Sequence, residues 1–226
     1  LIAGGVAKNP LDYGFHVMTS TTHKTLRGPG GGLILTNGTI SNPLKAPEKT
    51  LDNLPTLIDR TVFPGYQGGP HMNNTLAKAV AFGEALKPEF KTYAQQVVDN
   101  AKCLADELMK LGFKLITNGT DNHLILADVH SSFGLDGGEV EATLDSIGLT
   151  LNKNAIPNDT LPPFKPSGVR LGTPAITTRG MKTEHMPQLA SWIKQAINSR
   201  ADEKKLKSIR DEVRDFCLNF PLPSDD

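Results

Sequence analysis

The sequence predicts an α/β fold, and three observations carry that reading. Short apolar runs bounded by turn residues recur, as in Val17-Met18, Gly32-Leu-Ile-Leu-Thr36 and His123-Leu-Ile-Leu-Ala-Asp-Val129, a pattern of strands. Over residues 89–111, Phe90, Tyr93, Val97, Ala101, Leu104, Leu108 and Leu111 recur at three- and four-residue spacing. That is the clearest amphipathic helix in the chain, and Gly112 closes it. Beyond it strands and helices alternate, which predicts a compact α/β domain with helices covering one sheet face.

Taken in order, residues 1–15 form a turn-rich lead-in with a turn at Asn9-Pro10. A strand ending near Met18 and the strand Gly32-Leu-Ile-Leu-Thr36 flank a turn-rich segment. Asn37-Gly38 marks the next turn, followed by a polar stretch with Pro43 and Pro47 and a weak helical pattern over 48–61, interrupted by Pro55. A helix is expected over 73–87, starting at Asn73 or Asn74, with Leu76, Val80, Phe82 and Gly83 inward; Pro88 opens the next. Strands follow at 114–117 and 123–129 with Asn118-Gly119 turning between them, then a helix over 139–147 and a strand over 149–151. Helices over 183–198 and 202–220 finish the chain.

Composition narrows the function. With 226 residues the chain has room for one large domain or two small ones. Lys and Arg number 24 and Asp and Glu 24, which leaves no nucleic-acid footprint and no membrane-surface patch. The two cysteines, Cys103 and Cys217, lie in helical patterns, which argues against a disulfide framework and for a reducing, cytoplasmic compartment. His16, His71, His123, His130 and His185 lack metal-binding spacings, so no metal site is expected. The first residues lack the basic region and apolar core of a signal peptide and an initiator Met, so a longer polypeptide is expected.

Three strings carry chemistry. The first is Thr19-Ser-Thr-Thr-His-Lys24-Thr-Leu-Arg27-Gly-Pro-Gly-Gly-Gly32. Strong turn signals between apolar runs put Lys24 at a sheet end. Its amine is nucleophilic when neutral, and desolvation or a nearby cation (Arg27, or protonated His23) favours that form. The second is Phe63-Pro-Gly-Tyr-Gln-Gly-Gly-Pro-His71, where Gly68 and Gly69 expose backbone N–H groups ahead of a helix, a geometry suited to phosphate. The third is Ser167-Gly-Val-Arg170-Leu-Gly-Thr-Pro-Ala-Ile-Thr177. Alternation points Arg170 away from Val169 and Leu171, free to hold a carboxylate through two parallel bonds.

These strings, in this order, closely resemble serine hydroxymethyltransferase, over essentially the whole chain and corresponding to the later half of such a protein. The resemblance implies an aspartate-aminotransferase-like (fold type I) pyridoxal-phosphate enzyme. It implies the C-terminal part of the large domain over 1–87 and the small C-terminal domain, with its bridging helix, over 88–226. It implies that Lys24 holds pyridoxal 5'-phosphate covalently, with His23 beside it and Thr21 bonding within the pocket. Gly68 and Gly69 would serve the cofactor phosphate of a partner subunit, hence a homodimer or dimer of dimers. Arg170 would bind the substrate α-carboxylate. Asn152-Lys-Asn154-Ala-Ile-Pro-Asn-Asp159 and Pro163-Phe164 resemble the folate-contacting region, which implies tetrahydrofolate as co-substrate and contacts by Asn154 and Phe164.

The implied reaction moves a one-carbon unit reversibly from serine to tetrahydrofolate, giving glycine and 5,10-methylenetetrahydrofolate. Two positions depart from the family pattern: Gly30 replaces an arginine, and Pro162 replaces a serine. The family's cofactor-stacking histidine and pyridine-facing aspartate would precede Leu1, so these residues alone are expected to be inactive. Two further readings stay open: a threonine-aldolase-like or other fold-type-I enzyme, and a dimerising fragment without chemistry of its own.

Overall fold

A computed structural model describes residues 1–36 and 54–223. The chain divides into two units, Leu1–Ala94 and Gln95–Asp226. The turn expected at Asn37-Gly38 and the stretch with Pro43 and Pro47 lie outside the described residues.

In the first unit the Asn9 side chain accepts a bond from the Leu11 amide at 3.0 Å and caps a short 3-10 turn, Pro10–Tyr13. Strands β1 (Val17–Thr21) and β2 (Gly32–Thr36) form an antiparallel hairpin, paired from Val17 with Thr36 to Thr21 with Gly32. Helix α1 is Leu54–Arg60. Pro55, expected to interrupt a helical pattern over 48–61, is the second described residue of this helix, and residues 48–53 lie outside the described residues. A turn of π-type winding, Thr61–Tyr66, follows.

Helix α2 is Met72–Ala85, and within this chain its expected inward residues stand open. Leu76, Val80 and Phe82 are 65%, 64% and 40% exposed, and Gly83 is exposed as well. The packing face is the Lys78–Ala81 face. Ala81 is buried, and a Cβ on Gly28 would come within 3.3 Å of the Ala81 methyl. The Lys78 ammonium donates to the Gly32 carbonyl at 3.2 Å. Close approach of the β1–β2 loop selects a small residue for that face.

Helix α3 (Pro88–Lys110) begins in the first unit and runs into the second. Of its expected apolar stripe, Phe90, Val97, Ala101, Leu104 and Leu108 are buried, and Tyr93 and Leu111 are half-buried. Gly112, at a φ of 88°, turns the chain out of the helix.

The second unit holds a four-stranded sheet of β3 (Lys114–Leu115), β4 (Leu124–Asp128), β5 (Asn152–Asn154) and β6 (Gly168–Gly172) in the order β3-β4-β6-β5, every pair antiparallel. Strand β3 is only Lys114–Leu115, because Thr117 and Asn118 take φ values of 65° and 53° and end the strand expected to reach 117. Strand β4 (Leu124–Asp128) leads into helix α4 (Val129–Phe133), and α5 (Gly137–Ser146) follows. Helix α5 opens with a reciprocal cap between Asp136 and Glu139.

The strand expected over 149–151 is displaced to β5, Asn152–Asn154. Leu151 is buried and Leu149 packs on the core, so burial claims these two side chains and the polar residues after them pair with β6 (Gly168–Gly172). Helix α6 (Pro174–Thr178) had no counterpart in the sequence reading. Helices α7 (Met186–Asn198) and α8 (Glu203–Cys217) close the unit.

Ile125 and Ala127 of β4 and Val169 of β6 face one core with Val140 and Leu144 of α5, Trp192 and Ile197 of α7, and Ile209 and Val213 of α8. One face of the sheet is therefore covered by helices, as expected. A buried polar network ties α3 to the segment after β6. Asn100 donates to Thr177 Oγ1 and to the Met181 carbonyl, both at 2.9 Å, and accepts from Gln96 at 2.9 Å. Cys103 and Cys217 are free thiols on α3 and α8. Among the described residues no helix is long and apolar enough to cross a membrane.

Candidate active site

The β1–β2 loop is a built structure. Thr22 is fully buried; its amide donates to the Gly31 carbonyl at 3.0 Å, and its hydroxyl lies 2.7 Å from the Pro29 carbonyl and 3.1 Å from that of Gly31. The Gly28 amide returns to the Thr22 carbonyl at 2.8 Å, and a Cβ on Gly28 would lie 2.8 Å from that same oxygen, so only glycine fits. Sequence reasoning singled out Thr21, which stands half-buried on β1, and missed Thr22. A run of four hydroxyl residues gives no sign of which one turns inward.

On this frame His23 and Lys24 are both exposed. The expected desolvation of the lysine is not supplied by the described residues. The Gly31 amide approaches His23 Nδ1 at 3.5 Å, with that ring nitrogen as acceptor. Arg27 takes a left-handed φ of 58° and sets its guanidinium over the Tyr93 ring at 4.0 Å from the centroid, a cation–π contact. Gly30 is exposed, and a Cβ there would meet nothing within 4 Å.

Gly68 and Gly69 are exposed, and a Cβ on either would also meet nothing within 4 Å. Helix α2 begins at Met72 with His71 as its N-cap, slightly ahead of the start expected at Asn73 or Asn74.

In the second unit the structure brings two of the sequence-predicted residues together. Arg170 pairs with Leu126 on one side and Asn152 on the other, and Asn154 pairs with Gly168. Arg170 and Asn154 are thus diagonal neighbours on one face of adjacent strands, opposite the core-facing Val169. Arg170 is exposed, as alternation predicted. The Asn154 side-chain amide donates to the Ala155 carbonyl at 2.6 Å. Phe164 stands on the β5–β6 connection with 71% of its surface exposed, beside the exposed Pro162.

Two more side chains belong to this region, and sequence reasoning assigned neither a role. Asp159 accepts four bonds: from the amides of Ile156 (3.2 Å), Leu161 (3.0 Å) and Ser167 (2.9 Å), and from the Ser167 hydroxyl (2.5 Å). The Ser167 hydroxyl and amide, with the Leu161 and Ile156 amides behind them, hold its carboxyl well below the usual carboxylate range. An aspartate two residues before an amide such as that of Leu161 is a turn signal, but its bond to the distant Ser167 is not legible in sequence. His123 precedes β4, and its carbonyl accepts from the Thr173 amide at 3.2 Å. Burial pushes its imidazole below the ordinary value, and the Arg170 charge acts in the same direction. Its Nδ1 is buried without a partner among the described residues.

Fold and site together define a class: an α/β protein presenting a primary amine on a hydrogen-bonded hairpin loop and, on a second unit, an arginine beside an amide on an open sheet face. The serine hydroxymethyltransferase family model matches residues 1–193. A curated serine hydroxymethyltransferase from Acidobacterium capsulatum is 49% identical over 222 residues, covering 98% of this chain and 48% of that protein. The chain belongs to the serine hydroxymethyltransferase family. It spans about half the length of the curated relative it matches.

Proposed function

We propose that this chain is the later half of a pyridoxal-phosphate-dependent glycine hydroxymethyltransferase, interconverting serine and tetrahydrofolate with glycine and 5,10-methylenetetrahydrofolate. The observation that carries the reading is the exposed Lys24 amine on the Thr22-locked loop, inside the stretch matched by the family model. An accessible primary amine is the group an aldehyde-bearing cofactor needs, so the residues present fit it. Bound pyridoxal phosphate supplies an electron sink for charge developing at the amino acid's α-carbon.

Each named residue has a part in that reading. Lys24 holds the cofactor covalently, and His23, next to it, shapes substrate choice. The Thr21 hydroxyl bonds within the pocket. The open backbone at Gly68 and Gly69 serves the cofactor phosphate of a partner subunit, so the enzyme works as a homodimer or a dimer of dimers. Arg170 grips the substrate carboxylate through two parallel bonds and fixes the amino acid's orientation. Asn154 and Phe164 face the folate. We assign residues 1–87 to the large cofactor-binding domain of a fold-type-I enzyme and 88–226 to its small C-terminal domain. A cytoplasmic location belongs to the same proposal, supported by two free thiols on helices.

The test uses the full-length polypeptide. Borohydride reduction followed by peptide mass spectrometry should find the cofactor on Lys24, and serine cleavage should require tetrahydrofolate. Modification of another lysine would remove Lys24 from its role. Threonine cleavage as fast as serine cleavage, and without folate, would favour the aldolase-like reading.

A further inference from the structure

We infer that Asp159 is a positioning residue for the folate-facing edge of the site, its carboxylate fixing the β5–β6 connection so that Phe164, beyond the ladder-held Asn154, is held for a planar heteroaromatic ligand. The inference rests on the functional reading above. Residues 155–167 leave the sheet after Asn154 and rejoin it at Gly168, so no ladder bonds support them. The far end of the connection is pinned to its neighbours: Gly137 donates to the Pro166 carbonyl at 2.7 Å, and His130 to that of Ser167 at 3.0 Å. The Asp159 carboxylate then ties the early part, at Ile156 and Leu161, to Ser167 at that pinned end. Phe164 lies between the two tied points, an exposed ring whose place is set by the loop rather than by side-chain burial.

Space around the pinned end is also exhausted. A Cβ on Gly168 would fall 2.6 Å from the Ile156 side chain and 2.9 Å from the Asn154 carbonyl, and one on Gly137 would collide with the Gly168 carbonyl. Arg170 does not depend on this clamp. Ladder pairs with Leu126 and Asn152 hold it from both sides. Loss of the clamp should therefore reach the folate more than the amino acid.

Asp159→Asn keeps the shape but replaces one acceptor oxygen with an NH2 group. Both carboxylate oxygens accept from amides, so whichever one becomes nitrogen faces an N–H donor. In the full-length enzyme the KM for tetrahydrofolate should rise at least about tenfold, the loss expected for a charge-assisted bond, while the KM for serine changes less than about threefold. Ser167→Ala removes only the hydroxyl bond and should move the folate KM the same way by roughly threefold. It serves as the test if Asp159→Asn does not fold. An unmoved folate KM in the variant, or an equal rise in both KM values, overturns the role. Absence of folate-dependent turnover in the wild type overturns the functional reading and this role with it, whereas an active wild type with an unmoved variant overturns this role alone.

Discussion

Asn100→Ala probes the joint between α3 and the segment that follows the arginine-bearing strand. Asn100 has no exposed surface, and its side chain bonds to Thr177, Met181 and Gln96. Thr177 keeps a second bond, to the Thr173 carbonyl at 2.8 Å. Losing two buried bonds costs about 1 kcal/mol each, and leaving the Met181 carbonyl without this donor adds a further 1 kcal/mol or so. The expected loss is about 3 kcal/mol. With a urea m value of about 2 kcal/mol/M, the unfolding midpoint should fall by about 1.5 M. The chain has a single tryptophan, and Trp192 is buried in the core of this unit, so its fluorescence reports the right transition. Gln96→Ala, which removes only a half-buried partner, should cost under about 1 kcal/mol. A midpoint shift below about 0.5 M for Asn100→Ala would refute the account of this network.

Three more outcomes are expected. Asp159 has a depressed folded-state pKa, so its contribution to stability is complete above about pH 4 and disappears as the pH falls below that. Asp159→Asn should therefore flatten the acid limb of Trp192-monitored stability, and an unchanged limb would contradict the clamp. Lys24→Ala in the full-length protein should abolish the bound cofactor's visible absorbance while leaving the far-ultraviolet circular dichroism intact, since the exposed side chain supports no packing. Gly30→Arg should change stability by no more than about 0.5 kcal/mol, because the position is exposed and has open space around its Cα; a larger loss would mean the loop is more crowded than it stands here.

Several features were legible without coordinates because they follow from local rules. The spacing of Phe90, Tyr93, Val97, Ala101, Leu104, Leu108 and Leu111 fixed one helix face; Tyr93 and Leu111 are half-buried and the others buried. Turn residues bracketed β2, whose bounds are those read from the sequence. Strand alternation was enough to turn Arg170 away from the core, and the string around Lys24 was enough to point to a family that contains the chain. Local rules failed where a distant contact competes with a local preference. The inward face of α2 is chosen by how closely the β1–β2 loop approaches Ala81, and Leu149 and Leu151 join the core instead of forming a ladder. Which hydroxyl in the Thr19–Thr22 run becomes the internal brace depends on where the Pro29 and Gly31 carbonyls come to rest. The Asp159–Ser167 clamp spans eight residues of irregular chain. The sequence by itself determined the longer helices, the strand alternation around Arg170 and the chemical groups available to the site. Only the tertiary structure decided which polar groups hold those chemical groups in place, because a hydrogen bond closed across a loop depends on where both ends are held, and no residue pattern records that.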